Sequence, residues 1–563
     1  MDLDEILISI GEFGTYQKFV IWFVLLPAVL PCGFHAYNQL FMAVVPDHWC
    51  SIPELNGMDV YAARNLSIPL EKSLDGQLRF SNCYMYDFNY TDETNDIRQE
   101  AEIIPCKFGW IFDIDDISKS VVTEFYYHLK LAPKIIRILF QWNLVCNRRF
   151  SVTLSLMLLG ASGLIGNYIF GYIQDTKGRK LAFFIYLLIQ CVFGMATAFA
   201  HNYYVWTACR IGVGFTVPAI LGTPYVLAIE LVGSKKRTTV TILINIAYSV
   251  SLILLSVVVW AIPKWRLMAV ATTLPFFALF FHWWLLPESP RWLLSQGKFK
   301  EAERILRKIA RTNGKHVSKD FISSYYKDIN NVTNKEKQEK YGIMDLFSSK
   351  NMRWKTMMIT FLWFTNTSVY VGLSYYAPAL QGDEYLNFFL AGTVELPTYL
   401  FLWPAIEKLG RRWTLCLSMI IGGTSCLTTF WVEKDYFVTL TLYCIGKMGI
   451  SSSFVVLPLI ASELYPTVVR GLGMSFSSVI GMIGPILIPL VNYLGTHMLT
   501  LPLIIMGFML IIGGVCSLLL PETRHLNLPQ TLKDAEHTKL KCFTCYKPPK
   551  GNCNNKTIYE SQM

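Results

Sequence analysis

Apolar residues in this chain fall in long runs separated by short charged turns, and that rhythm predicts helices long enough to cross a membrane. A helix needs about 20 apolar residues to traverse roughly 30 Å of hydrocarbon. Twelve runs meet that measure, near 17–45, 150–173, 181–200, 204–230, 239–262, 266–286, 356–378, 386–406, 413–432, 438–462, 473–494 and 500–520. Several carry prolines (Pro27, Pro31, Pro218, Pro224, Pro458, Pro485 and Pro489), which lipid tolerates where neighbouring helices or a cavity satisfy the freed backbone groups.

The charged turns repeat. Asp175 in GYIQDTKGRK answers to Glu407 in WPAIEKLGRR, 232 positions on. Glu230 and Arg237 in ELVGSKKR answer to Glu463 and Arg470 in ELYPTVVR, 233 on, and the Pro-Glu pair at 287 recurs at 521, 234 on. Three motifs in one order predict two homologous halves arranged as parallel repeats. The expected division is a bundle at 1–286 with a long loop at 46–147, a second loop with amphipathic helices at 287–355, a second bundle at 356–521 and a tail at 522–563.

Basic residues at helix ends orient such a chain. Lys177, Arg179, Lys180, Lys235, Lys236, Arg237, Lys408, Arg411, Arg412 and Arg470 follow the even-numbered runs, so those ends and both termini are expected in the cytosol. The acidic start (Asp2, Asp4, Glu5) lacks the basic region of a cleavable signal, leaving the first helix as its own insertion signal. The two long loops agree: 46–147 holds fifteen acids against nine bases, and 288–355 holds eight against sixteen. A hydrophobic share of 53%, a charged share of 16% and a mean hydropathy of +0.37 place the chain in a bilayer. Its net charge of +10 then reads as topology and implies no nucleic-acid partner.

Seven of the fourteen cysteines (Cys32, Cys191, Cys209, Cys416, Cys426, Cys444 and Cys516) sit singly in apolar runs, where a small buried hydrophobe is the default. Cys50, Cys83, Cys106 and Cys146 form an even set in the expected outer loop, giving two disulfides with three possible connectivities. That loop also carries glycosylation sequons at Asn65 and Asn89. Sequons at Asn331, Asn366 and Asn555 fall in the cytosolic loop, a span and the tail, and are discounted. In the tail, Cys542 and Cys545 lack the histidines or second pair of a metal site, and no metal or other cofactor is expected. KFKEAERILRKIAR, 298–311, has an apolar stripe at Phe299, Ala302, Ile305, Leu306 and Ile309 opposite a basic face. Such a helix suits either the membrane surface or a brace beneath the bundle.

The runs GYIQDTKGRK, ELVGSKKR, PESPRWLLSQGKFKEAERIL, EKLGRR and ELYPTVVR resemble the major facilitator superfamily. With IGEFGTYQKF, PDHWC, WFTNTSVYVGLSYYAPAL and GDEYLNFFLAGTVELPTYLF, the chain resembles the organic cation, anion and zwitterion transporters of that superfamily over nearly its whole length. The resemblance implies an all-α membrane protein with the major facilitator fold, twelve transmembrane helices in two pseudo-symmetric six-helix bundles. The segment 126–140, YYHLKLAPKIIRILF, interrupts a pattern whose flanks adjoin in the family. It is either a lineage-specific loop or an unspliced segment.

Charges in the repeated turns must pair at that depth, because an unpaired one costs about 2.5–3.5 kcal/mol on insertion scales. Asp175, Arg179, Glu230, Arg237, Glu407, Arg411, Glu463 and Arg470 are therefore expected as cytosolic gating ion pairs that join the halves when the site faces outward; the alternative is topology and stability alone. A cargo site is expected at the midplane between the halves. Polar residues unsuited to lipid are candidates there: His35, Asn38, Tyr225, Asn245, Tyr375, Tyr376, Glu395 and Lys447. Glu395 is an acid inside a span, with Lys447 as its expected partner, either in a cargo site or in a pair that only orders the helices. His35 either titrates or packs. By resemblance, Tyr370 and Phe454 match pocket aromatics, whose rings hold ammonium groups. Cation members of the family have acids where this chain has Val455 and Met482, and anion members have an arginine at the latter. A pocket without that extra charge points to zwitterions, weakly charged amines and polar metabolites.

The resulting expectation is a plasma-membrane carrier of small organic cations or zwitterions working by alternating access, monomeric as a functional unit and able to oligomerise through the outer loop. An organic anion carrier and a non-transporting sensor are the alternatives. No HExxH, GxSxG or P-loop supports an enzyme. The coupling ion stays open, since uniport, exchange and sodium or proton coupling all suit this scaffold.

Overall fold

The computed structural model describes residues 3–523 except 46, 56, 73–77, 89–101, 113–119, 121–144, 147–148, 234–235, 316–341, 433–434, 467, 496–497 and 499. Asn89, the whole segment 126–140 and the tail cysteines lie outside the described residues. Among the described residues, ten helices are both long and apolar enough to cross a membrane: Thr15–Met42, Phe150–Lys177, Arg179–Ala198, Tyr203–Leu231, Arg237–Ala261, Trp265–Trp283, Glu384–Leu409, Arg411–Trp431, Tyr436–Leu464 and Arg470–Leu494. Two other expected spans form helices that depart from this norm. Lys350–Tyr376 is 27 residues long but less apolar, because Thr365, Asn366, Thr367, Ser368 and Ser374 are buried on it against other helices. Leu501–Ser517 is apolar but has only 17 residues. In chain order we call these twelve helices one to twelve.

Glycine fixes the sharpest turns. Gly178, between helices two and three, has φ 104°, and Gly410, between helices eight and nine, has φ 88°. A side chain is strained in either conformation, and a Cβ would also strike Glu288 or Glu522 at 2.4 and 2.8 Å. The repeat in sequence is thus a repeat in backbone geometry. Helices four, eight and eleven are interrupted at Phe215–Thr216, Val394 and Met482, where the regular helix gives way for one or two residues.

The loop after helix one folds into three antiparallel strand pairs. β1 (His48–Cys50) pairs with β6 (Trp110–Phe112), β2 (Leu70–Lys72) with β3 (Leu78–Phe80), and β4 (Tyr84–Tyr86) with β5 (Ile103–Pro105). Trp49, Cys50, Ile52, Ile68 and Met85 give it a small core of its own. The four cysteines join as Cys50–Cys106 and Cys83–Cys146, the latter tying the loop to the start of helix two. Asn65 is exposed on the short helix Val60–Ser67.

Contacts between the halves concentrate at the end that bears this loop. Phe41 of helix one packs edge-on against Phe388 of helix eight at 5.2 Å, and Phe150 of helix two against Tyr493 of helix eleven at 5.8 Å. A Cβ on Gly160 would lie 3.2 Å from the Pro485 carbonyl, and one on Gly392 3.3 Å from Leu252. Towards the charged end, a Cβ on Gly171 of helix two or Gly471 of helix eleven would meet nothing within 4 Å. The halves close at the loop end and part towards the charged end.

At the charged end, the amphipathic helix Phe299–Thr312 buries Ala302, Leu306, Ile309 and Ala310. It is followed by Asn313, whose side chain accepts from Tyr16 N (3.0 Å) and donates to Ile10 O (3.1 Å) and Gln17 Oε1 (3.0 Å). This helix is a brace fastened to the first half.

Candidate functional site

The charged corners are built twice. In the first half, Arg179 donates to Glu230 at 3.2 Å and lies 3.4 Å from Asp175. In the second, Arg411 lies 3.3 Å from Glu463. Both pairs stay within their own half, as suits a conformation parted at this end. Glu407 accepts from Trp403 at 3.1 Å, and Arg470 donates to the Tyr465 carbonyl at 3.3 Å. Arg237 stands at the start of helix five.

Two acids that the sequence marked only as part of the repeat complete these corners. Glu288 accepts from the backbone N–H of Arg179 (2.9 Å), Lys180 (3.3 Å) and Ser289 (3.0 Å). Glu522 accepts from those of Arg411 (3.0 Å), Arg412 (3.1 Å) and Thr523 (3.1 Å). Each carboxylate caps the N-terminus of a helix, where unpaired N–H groups and the helix dipole favour negative charge. Burial raises the Glu288 carboxyl above its ordinary pKa, and the N–H bonds and Arg179 pull it back.

At mid-depth, Glu395 opens the second segment of helix eight, just past the interruption at Val394, and is fully buried. Its Oε1 accepts from Tyr370 (2.9 Å), Ser451 (3.0 Å) and Lys447 Nζ (3.1 Å). Its Oε2 accepts from Tyr399 (3.3 Å) and from Ser249. Four of these donors lie in the second half, whereas Ser249 comes from helix five of the first. One carboxylate therefore gathers donors from both halves.

Lys447, equally buried, also donates to Ser374 Oγ at 2.6 Å and stands 3.7 Å from the Tyr370 ring centre. Rings continue outward from it. Tyr370 lies 5.1 Å from Phe454 and 6.3 Å from Tyr248, whose hydroxyl meets that of Tyr37 at 3.3 Å. Tyr37 packs edge-on against Tyr375 at 5.7 Å. The electron-rich faces of such rings attract ammonium groups by about 0.5–2 kcal/mol each.

Of the residues expected in the cargo site, Tyr370, Glu395, Lys447 and Phe454 come together here. Val455 is buried beside Phe454 on helix ten, and Met482 is half-buried at the interruption of helix eleven, so neither adds charge. His35 and Asn38 belong to a separate knot inside the first half. The His35 ring nitrogens meet Pro31 O at 3.0 Å and Thr273 Oγ1 at 3.2 Å. Asn38 accepts from the buried Arg210 at 2.8 Å and donates to Thr272 at 3.2 Å. Arg210 was legible as a lone base within an apolar run. Ser249, Tyr399, Ser451, Tyr37 and Tyr248 were harder to single out, because each is common in a span and becomes informative through the partner it meets.

Comparison with known proteins shows what the chain as a whole is similar to. Residues 89–533 match the family described as sugar (and other) transporter. The chain is 51% identical to the beta-alanine transporter of Drosophila melanogaster, over 97% of this chain and 91% of that one. It is 40% identical to the carcinine transporter of the same fly, over 95% and 79%. It is 32% identical to organic cation/carnitine transporter 2 of Homo sapiens, over 94% and 93%. In fold it is similar to the proton:xylose symporter XylE bound to 6-bromo-6-deoxy-D-glucose, with a TM-score of 0.55 at 18% identity over 69% of this chain and 90% of that one.

Proposed function

Since the chain belongs to the sugar (and other) transporter family, and within it to the organic cation, anion and zwitterion transporters of the major facilitator superfamily, we propose that its cargo is a small amine-bearing solute, cationic or zwitterionic. It is a multi-pass membrane carrier of small organic solutes and not an enzyme. The observation that carries the cargo reading is Glu395, a carboxylate in a membrane-spanning helix, ringed by hydroxyl donors and beside aromatic faces. A buried acid at this depth is costly unless it pairs or binds. Met482 and Val455 supply no base to attract an anion. The names of the relatives, which carry beta-alanine, carcinine and organic cations, support the same class.

The wider proposal follows from that site. Twelve helices cross the plasma membrane with both termini in the cytosol, the strand-bearing loop lies outside with Asn65 glycosylated, and a monomer suffices for transport. The two bundles rock around the centre, and the Arg179–Glu230 and Arg411–Glu463 corners set the balance between the two facing states. Uptake in oocytes of a quaternary ammonium, carnitine, a biogenic amine, β-alanine and an aromatic anion, with and without sodium, tests cargo and coupling together. Uptake of one or more amines is expected. Strong uptake of the anion with none of any amine would overturn the cargo class, and binding without accumulation would make the protein a sensor.

A further inference from the structure

Glu395 and Lys447 together form a zwitterion already seated in the protein. Their charges lie 3.1 Å apart, both side chains are withdrawn from solvent, and the pair is neutral as a unit. Both Glu395 oxygens are saturated, by Tyr370, Ser451 and Lys447 on one and by Ser249 and Tyr399 on the other. A cargo ammonium therefore reaches the carboxylate only by displacing a donor, and the only charged donor it can replace like for like is Lys447.

Displacement by a simple cation would strand Lys447. Its remaining contacts are the Ser374 hydroxyl and the Tyr370 ring, and a buried charge that loses its partner is strongly disfavoured. A cargo with a carboxylate of its own avoids that penalty. Its ammonium takes the place of Lys447 on Glu395, its carboxylate takes the place of Glu395 on Lys447, and every charge stays paired. We propose that the Glu395–Lys447 pair reads both ends of its cargo at once, selecting small solutes whose ammonium and carboxylate lie a few bonds apart over those carrying either charge alone. Lys447 is then a specificity residue in direct contact with the cargo carboxylate. The empty pair is the resting stand-in for cargo. This deepens the amine-carrier reading and rests on it.

The test compares β-alanine with its two one-charge analogues, propylamine and propionate, as labelled substrates of the full-length protein at the cell surface. The wild type is expected to take up β-alanine at least tenfold faster than either analogue. Lys447→Gln should cut β-alanine uptake tenfold or more and shift the remaining preference towards propylamine. The exchanged pair, Glu395→Lys with Lys447→Glu, should restore preference for β-alanine, since the charges have only traded places. If those variants fail to reach the surface, the wild-type comparison decides alone. Propylamine taken up as fast as β-alanine overturns the two-ended reading and leaves the amine carrier standing. None of the three taken up overturns the two-ended reading, and propionate taken up alone overturns both.

Discussion

Two regions of this molecule follow opposite rules. The charged corners repeat their main contacts: Arg179 with Glu230 and Arg411 with Glu463, and a glutamate capping each following helix from 109 and 111 residues away. The centre does not repeat at all. Counting back 232 and 233 positions from Glu395 and Lys447 reaches Gly163 and Gly214. Those glycines sit at a close crossing of helices two and four, where a Cβ on Gly163 would lie 3.3 Å from the Gly214 carbonyl. In one half the shared frame holds a backbone contact, and in the other a buried ion pair. The duplicated parts thus share a frame of ion pairs and caps, and the buried Glu395–Lys447 pair lies on one half alone, with Ser249 meeting Glu395 from the other.

The comparison breaks most visibly at the centre. Lys447→Met leaves Glu395 buried without its cation and should cost about 3–5 kcal/mol, read as a lower melting temperature of the purified protein. Adding Glu395→Gln should recover most of that loss; a double variant as unstable as the single one would mean that the pair is not the cause. At the corners, Arg179→Ala and Arg411→Ala should each cost about 1.5–3 kcal/mol, the range for hydrogen bonds to charged groups, and by similar amounts if the two corners are equivalent. Gly214→Ala pushes a methyl to 2.5 Å from the Leu159 carbonyl and should cost about 1–3 kcal/mol, while Gly171→Ala, in open space, should leave the melting temperature unchanged. Asp175→Asn should be the mildest change, at most about 0.5 kcal/mol, because its side chain is 69% exposed. A large effect there would mean that Asp175 supports the Arg179 corner despite its exposure.

Much of this was readable in the sequence, for reasons that differ by element. Runs of apolar residues announce spans because lipid leaves the backbone few alternatives. Helix seven, polar along its buried positions, was still caught as an apolar run near 356–378. The corner motifs showed themselves by repetition. What stayed hidden were relations between distant chemical groups. Glu288 and Glu522 were visible as a repeat, but their partners are backbone N–H groups, which leave no trace in residue identity. Ser249 resembles any span serine until helix five is laid beside helix eight. His35 and Asn38 looked like pocket residues because a polar side chain in a span faces inward, and inward in their case means Arg210 and helix six rather than Glu395.

The clamp at Asn313 sets a clock on biogenesis. Its carboxamide fastens the stretch from Ile10 to Gln17, and the Tyr16 bond spans 297 residues of chain. A ribosome adding roughly 5–20 residues per second needs about 15–60 s to make what lies between. Through that interval the first helix must hold its place in the membrane without its final fastening, and only a chain that has completed its first six helices in order can close it. The clamp can thus close only after all of the first six helices have been made.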